Sequence, residues 1–445
     1  MNRQRGLRVG ILLLLILAGC SKGDKKLNVE GAYTPVIANI SSDHQPPVRG
    51  IPNALTALVT NPRNYAVQYH WSTSAGTLAD STTVTVHWTP PDSIGNYSVT
   101  VAITAHDDLN QVNFFKTRTF VLRVDNEFER WTRTPSVQFD VTAPAAGLIY
   151  FSQIRNSSTN ESDIWSLDVP LGSPTQLTSQ FWQATAPAAQ SDGSRVVFLG
   201  KSNRGPQKAS LYWVPSTGGD TTSAGIVIPV GISTNTVLGP ARFEPTGSFI
   251  AYSSDTAGFN LTKPKPWIRD LEVPAQPIPV LPGANTTSEQ NVYLNPSWNP
   301  NGDSIVVESF ANFGQLNQLR RGLFKFSASR TSPPNNPGPP FTVWLNDSGA
   351  GEPDWSPDRA HIAYSRRVPG RTDRDIWIIN AYATSPSQAV RVTTGPADEF
   401  HPRFSSDGSK IFFLSNRTDA YGADGVFDTE RRGVNIWSVS RFDLP

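Results

Sequence analysis

EPDWSPDRAHIAYSRR, residues Glu352–Arg367, is followed a few residues later by RDIWIIN, Arg374–Asn380. The first stretch reads as an aromatic anchor, Trp355, a turn, and a short apolar strand. The second reads as a further strand with an apolar pair behind an aspartate. Both recur. Versions of the first are APAAQSDGSRVVFLG, GPARFEPTGSFIAYS, NPSWNPNGDSIVVES and HPRFSSDGSKIFFLS, anchored at Ala189, Phe243, Trp298 and Phe404. Versions of the second centre on Ile164-Trp165, Leu211-Tyr212, Trp267-Ile268, Leu323-Phe324, Ile376-Trp377 and Ile436-Trp437, at intervals of 47 to 60 residues.

Each repeat states its own local structure. Four residues past the anchor stand Gly193, Gly247, Gly302 and Gly408, as a tight hairpin demands. Arg359 holds that place in the fifth repeat, so its turn should be of another type or strained. The strand after the turn is almost wholly apolar and should be covered on both faces. A fourth, weaker strand follows the apolar pair as PTQLTS, GIVIPV, QPIPVL, FTVWLN and AVRVTT. Four strands in about fifty residues is the period of a propeller blade, a unit that buries its faces only by stacking on neighbours.

Residues 127–445 resemble the propeller family that includes the periplasmic TolB protein and the propeller domains of prolyl-oligopeptidase-type peptidases. The match to EPDWSPDRAHIAYSRR and DIWIIN is close, and looser in the second to fourth repeats. The resemblance implies a six-bladed β-propeller. Six third strands but only five fourth strands are present, because the chain stops just after NIWSVSRF. FERWTRT, residues Phe128–Thr134, is expected to pair with the last strand and close the ring, which removes sheet edges.

Upstream, YHWSTSAGTLADSTTVTVHWTPPDSIGNYSVTVAITAHDD alternates apolar and polar residues. Val84, Val86 and Trp88 share one strand face, as do Tyr97, Val99, Val101 and Ile103. Turn signals at Ala75-Gly76 and Pro90-Pro91-Asp92 complete the pattern of a β-sandwich over residues 33–126. WSTSAGTL and VHWTPPDSIGNYSVTV resemble immunoglobulin-like and PKD-like domains of bacterial surface proteins, with Tyr97 as a corner tyrosine. That resemblance implies a spacer or adhesion module.

The whole chain therefore reads as all-β: an N-terminal immunoglobulin-like β-sandwich, then a six-bladed β-propeller closed by an N-terminal strand. It is long enough, at 445 residues, for two such cores. Lys plus Arg is 38 against 37 for Asp plus Glu, a net charge of +1 that points to no nucleic-acid partner.

The first residues have a different character. MNRQRGLRVGILLLLILAGC has basic residues, an apolar run too short to span a bilayer, and small residues before the chain's single cysteine, Cys20. Leu17-Ala18-Gly19-Cys20 resembles the lipobox of bacterial lipoproteins. The resemblance implies a signal peptide at 1–19, lipidation of Cys20, a flexible tether over 20–32, and attachment to a membrane of the cell envelope, most often the outer one where Ser21 rather than aspartate follows. With one cysteine, no disulfide can form within the chain.

No catalytic constellation stands out. There is no Gly-x-Ser-x-Gly elbow, no hydrolase-sized domain after the propeller, no phosphate-binding glycine loop, and no metal-ligand spacing among the histidines. No cofactor is expected. The expected site is a face: long loops between second and third strands carry Arg366, Arg367, Arg371, Arg374, Arg417 and further basic residues, with fewer acids. Asn295, Glu352 and His401 should precede the first strands of their blades and line the channel mouth there. The expected partner is a protein, a peptide or an anionic glycan. The alternative is a propeller-type polysaccharide lyase or hydrolase using His401 and Glu352 with nearby arginines, which requires these groups to converge.

Overall fold

The structure is a computed structural model. It describes residues 33–43, 47–124, 128–132, 138–145, 147–168, 172–204, 209–220, 225–228, 236–237, 240–245, 247, 249–255, 264–272, 278–280, 292–310, 321–328, 343–345, 347, 349–367, 370–394, 397–417 and 434–440. Cys20 and the signal-like segment lie outside these residues. Among the described residues the chain is built of β-strands, with one 3-10 turn at Pro386–Gln388, and no helix is long and apolar enough to cross a membrane.

Two sheets occupy the region before residue 125. One runs, in spatial order, Val36–Ser42, Asn53–Thr60, Thr85–Thr89, Thr77–Ala79; the other runs Val67–Thr73, Gly95–Asp107, Val112–Val124. Trp71, Trp88, Val86, Val99, Val101 and Ile103 fill the space between them. The Trp71 indole N–H donates to the Thr83 carbonyl at 2.9 Å, and that of Trp88 to the Ala75 carbonyl at 3.0 Å. Both large side chains are thus buried without an orphaned donor. Gly76 is required here: its φ is +80° and a Cβ would lie 2.3 Å from the Thr89 carbonyl oxygen. The Tyr97 hydroxyl meets the Ser93 hydroxyl at 2.6 Å and donates to the Ser93 carbonyl at 3.2 Å. Val84 departs from expectation. It precedes its strand and is exposed.

The remaining strands form mostly antiparallel, propeller-type sheets, the first two units being joined into one eight-stranded sheet by a parallel bridge between Ser162 and Gln183. The inner strands are Gln138–Ala145, Gln183–Ala189, Arg242–Phe243, Val292–Trp298, Ala350–Trp355 and Glu399–Phe404. Each pairs with the strand that follows it in sequence, and that strand with a third. The middle strands show why their sequences are apolar on both faces. In Arg195–Lys201, Val196 packs with Tyr150 and Ile164 of the preceding sheet, while Val197 packs with Ile250 and Tyr252 of the next. In Ser304–Phe310, Ile305 and Val307 face back toward Tyr293 and Ile268, and Val306 faces forward to Ile362 and Tyr364. Period-two alternation thus distributes one strand between two cores.

Phe128–Arg130 pairs antiparallel with Asn435–Ser440, in register Phe128↔Val439 and Arg130↔Trp437. It is the fourth strand of the sheet that contains Glu399–Phe404 and Lys410–Ser415. The Trp131 indole donates to the Ser438 hydroxyl at 2.9 Å, and the Ile436 N–H to the Thr132 hydroxyl at 2.9 Å. This last sheet packs on the first: Phe412, Leu414 and Ile436 share a core with Val141, Ile149 and Phe151.

The fifth repeat's turn matches the others in shape. Arg359 has φ +69°, beside +72° at Gly193, +69° at Gly302 and +71° at Gly408. The arginine is held in a conformation that costs an L-residue on the order of 1 kcal/mol. Among the described residues its side chain bonds Asn301 Oδ1 at 2.9 Å, an exposed contact. Arg359→Gly is expected to raise the stability of the propeller region by about 1 kcal/mol in urea unfolding. A loss of stability would show that the left-handed arginine is unstrained.

Candidate functional site

The inner strands of four repeats break register at the same place: between Thr185 and Ala188, Leu294 and Ser297, Gly351 and Asp354, and Phe400 and Arg403. A proline, which lacks the N–H a ladder needs, sits inside each break as Pro187, Pro296, Pro353 or Pro402. The residue before it is left-handed, with φ of +55° at Ala186, +51° at Asn295, +54° at Glu352 and +52° at His401. Asn295, Glu352 and His401 therefore lie within their strands, at the bulge, and do not precede them as expected. None of the three is glycine, so each bulge stores on the order of 1–3 kcal/mol of strain.

The bulge frees backbone donors, and the preceding sheet supplies acceptors. The Ala186 N–H donates to Asp140 Oδ2 and to Ser152 Oγ, both at 3.0 Å. The Glu352 N–H donates to Glu308 Oε2 at 2.7 Å, and the His401 N–H to Glu352 Oε2 at 3.0 Å. Deeper along the strand the Trp355 N–H donates to Ser297 Oγ at 3.0 Å and the Phe404 N–H to Asp354 Oδ2 at 2.9 Å. Asn295 joins the set through its amide, which donates to Glu308 Oε1 at 2.8 Å.

Glu352 is the hub. Its carboxylate accepts from Arg374 Nη1 at 3.1 Å and from Ser365 Oγ at 2.7 Å, and His401 Nε2 lies 3.2 Å away. Burial pushes this acid up, but His401, Arg374, the His401 N–H and the Ser365 hydroxyl outweigh it and hold it down to about 2. Arg374 also forks onto Asp398, with Nε to Oδ1 at 3.0 Å and Nη2 to Oδ2 at 2.9 Å, over the face of Phe400. On the other side of the imidazole, His401 Nδ1 stands 3.3 Å from Asp140 Oδ1. Burial lowers His401, against the pull of Glu352 and Asp140, and raises Asp140, against His401, Arg242 and Arg403.

The structure thus brings His401, Glu352 and an arginine together, the convergence that the enzymatic alternative requires. The chemistry of the cluster is nevertheless closed. Glu352 is an ionised carboxylate with donors on both oxygens, and each ring nitrogen of His401 faces a carboxylate. A general base needs an uncommitted lone pair within reach of substrate; Glu352 offers none, and His401 Nδ1, which makes no hydrogen bond, is buried and turned toward Asp140.

The expected arginines are divided. Arg366 Nε binds Asp347 Oδ2 at 2.8 Å and lies over Trp377. Arg371 pairs with Asp373, Arg374 with Glu352 and Asp398, and Arg417 with Glu399 at 2.7 Å. Arg367 is exposed at the end of its strand. Counting loop charges overstates the positive face, because Asp347, Asp398 and Glu399, at the joints between sheets, neutralise arginines of the longer loops. Lys208, Lys263, Arg320, Arg431 and Arg432 of the same expectation lie outside the described residues. Among the described residues no group of His, Cys, Asp and Glu is arranged to hold a metal.

Sequence reasoning missed a second cluster. Arg242 and Arg403 are buried there and Asp354 is half-buried, with Asp140 nearby. Burial and the charge of Arg403 push Arg242 down to about 9, while burial raises Asp354 against Arg403 and Arg242. The available signal was position: each of the three directly precedes an aromatic anchor, Phe243, Trp355 or Phe404.

No family model matches the chain, and no curated protein matches it. Solved structures similar to it include TolB from Acinetobacter baumannii, at 13% identity over 83% of this chain and 79% of that one, TM-score 0.43. The β-propeller domain of the trilobed protease from Pyrococcus furiosus is 10% identical over 78% of this chain and 91% of that one, TM-score 0.40. A putative TolB from Agrobacterium tumefaciens is 15% identical over 76% of this chain and 81% of that one, TM-score 0.28. None of these likenesses assigns a function.

Glu352 and His401 both have depressed folded values, so their stabilisation is present above the ordinary values and lost as pH falls through the folded ones. For His401 the window lies below 6.5, and for Glu352 between 4.5 and about 2. Glu352→Gln should cost about 3 kcal/mol at pH 7 by leaving buried donors without their anion. It should also flatten the stability loss between pH 4.5 and 3, measured by urea unfolding at each pH. An unchanged acid limb would remove Glu352 from the centre of the network.

Proposed function

We propose that this chain is a lipid-anchored binding protein of the bacterial cell envelope. Cys20 carries the acyl chains, residues 20–32 form the tether, and the sandwich of residues 33–126, of immunoglobulin or PKD type, lifts the second domain from the membrane. Residues 127–445 form a six-bladed, TolB-like propeller whose ring is closed by Phe128–Arg130 beside the last strand. The antiparallel pairing of that segment and the core shared by the last and first sheets support the closed ring.

The carrying observation is the closed state of the cluster around Glu352. Strained backbone, buried charge and a Glu352 carboxylate with donors on both oxygens describe a rigid platform, not a reacting centre. Around it the exposed basic residues Arg204 and Arg367 supply positive charge for a protein, a peptide or an anionic glycan. Polysaccharide lyase or hydrolase chemistry is the second reading, because His401, Glu352 and Arg374 do converge. It would need substrate to displace Asp140 or Glu352 from the imidazole.

Arg204 and Arg367 are outside the buried network, so Arg204→Glu combined with Arg367→Glu should leave the fold intact. Capture of envelope partners from detergent extracts is expected to fall by about tenfold at low salt, corresponding to roughly 1.4 kcal/mol. Equal recovery with both proteins would end the positive-face reading. Cys20→Ala is expected to move the protein from the membrane fraction to the soluble one. Retention in the membrane would refute the lipid anchor.

A further inference from the structure

At the opposite end of the channel from Asn295, Glu352 and His401, on the side of the hairpin turns that follow each anchor, lies a cavity of about 300 Å³. Its inner wall carries Arg242 and Arg403, and its rim carries Trp298, Trp355 and Phe404. Arg403 is only 2% exposed. Its Nη1 donates to the Pro402 carbonyl at 2.6 Å and more distantly to that of Glu352 at 3.5 Å, and its buried Nε has no acceptor. Arg242 Nη1 donates to the Ala241 carbonyl at 2.8 Å. Both guanidiniums therefore rest on main-chain carbonyls.

The carboxylates nearby do not fork either arginine. Asp354 accepts from the Ser297 hydroxyl at 3.3 Å and from the Phe404 N–H at 2.9 Å. Asp140 accepts from the Ala186 N–H and faces His401. Glu244, on the same wall, is engaged within the protein. A buried guanidinium with unfilled donors calls for an acceptor-only group, and a planar carboxylate fits its fork. Asp354, Asp140 and Glu244 already lie near the two arginines, which disfavours a dianion such as phosphate. The rim defines the rest of the ligand. The Trp298 indole N–H donates to the Arg242 carbonyl at 3.0 Å and that of Trp355 to the Arg359 carbonyl at 3.4 Å. With their polar edges engaged, the indoles offer carbon surface to the cavity.

We propose that this cavity binds an organic monocarboxylate with an apolar body, its carboxylate on Arg242 and Arg403 and its body between Trp298, Trp355 and Phe404. The shared chemistry is met by a free small acid or by the C-terminal residue of a peptide. The site adjoins the cluster around Glu352 through the 3.5 Å contact of Arg403 with the Glu352 carbonyl, but its ligand is read by acid against amide, a difference the envelope-partner test does not measure.

The test uses the mature full-length protein and four probes: phenylacetate, phenylacetamide, acetyl-Ala-Pro-Phe with a free C-terminus, and the same peptide as its C-terminal amide. Binding is read by tryptophan fluorescence and calorimetry. Each acid is expected to bind at least tenfold more tightly than its amide, as the loss of a charge-assisted contact implies. Tighter binding of the peptide acid than of phenylacetate identifies a chain terminus as the source, and the reverse identifies a free acid. Arg403→Met should abolish the difference between acid and amide. Because that variant removes a buried charge and can impair folding, Ser191→Trp serves beside it. Ser191 is an exposed rim residue remote from the guanidiniums, and an indole there should block entry while leaving the unfolding transition unchanged. Equal binding of acids and amides, no binding of either acid up to about 10 mM, or undiminished binding to a folded Ser191→Trp protein would each overturn the proposal.

Discussion

A broken ladder, mended from next door, is the constraint on which the second half of this molecule depends. Each proline in an inner strand interrupts the strand's own hydrogen bonding and leaves main-chain N–H groups without partners. An orphaned buried donor costs about 1–3 kcal/mol, so the sheet cannot tolerate the break alone. The acceptors are side chains of the preceding sheet: Asp140 for Ala186, Glu308 for Glu352, Glu352 for His401, and Asp354 for Phe404. At these junctions one unit thus completes the backbone of the next, which couples them more specifically than the apolar clusters between them.

The same arrangement explains why so much charge is buried in a chain with no disulfide. Carboxylates are the strongest acceptors available for an exposed main-chain donor in a dry site. Burying them requires counter-charges, and Arg374, Arg403, Arg242 and His401 supply these. Structure and electrostatics are therefore a single device here. Removing one member leaves both a donor unpaired and a charge uncompensated. That coupling argues for a stable platform over a turnover site, since a catalytic group must change protonation without dismantling its surroundings.

The two clusters differ in what remains unsatisfied. Around Glu352 both carboxylate oxygens have donors, and His401 Nδ1 faces Asp140 without a hydrogen bond. At the hairpin end, Arg403 retains an unfilled donor beside an aromatic rim. Satisfied and unsatisfied polar groups, and not the sign of the charges, separate a scaffold from a receptor in this fold.

Much of the architecture was legible along the chain. Anchor, turn, apolar strand and Ile-Trp pair recur because each unit must fill the same wedge between two neighbours, and that requirement acts through local periodicity. The pairing of Phe128–Arg130 with the final strand followed from counting a missing fourth strand. Arg359 was marked by its place in the repeat, yet only the coordinates show that it accepts the left-handed turn its neighbours give to glycine. The site was less legible. Glu352, His401 and Arg374 were named, but as groups lining a mouth; their pairing, and that of Arg366 with Asp347 and Arg417 with Glu399, depends on how strands and loops bring these side chains together. Arg242 and Arg403 sat beside recognised anchors without announcing themselves. Sequence determines strand periods and turns because those depend on neighbours a few residues apart. Which charge meets which is decided by distances in space, between residues from under twenty to more than two hundred apart in the chain, and only the tertiary structure decides it.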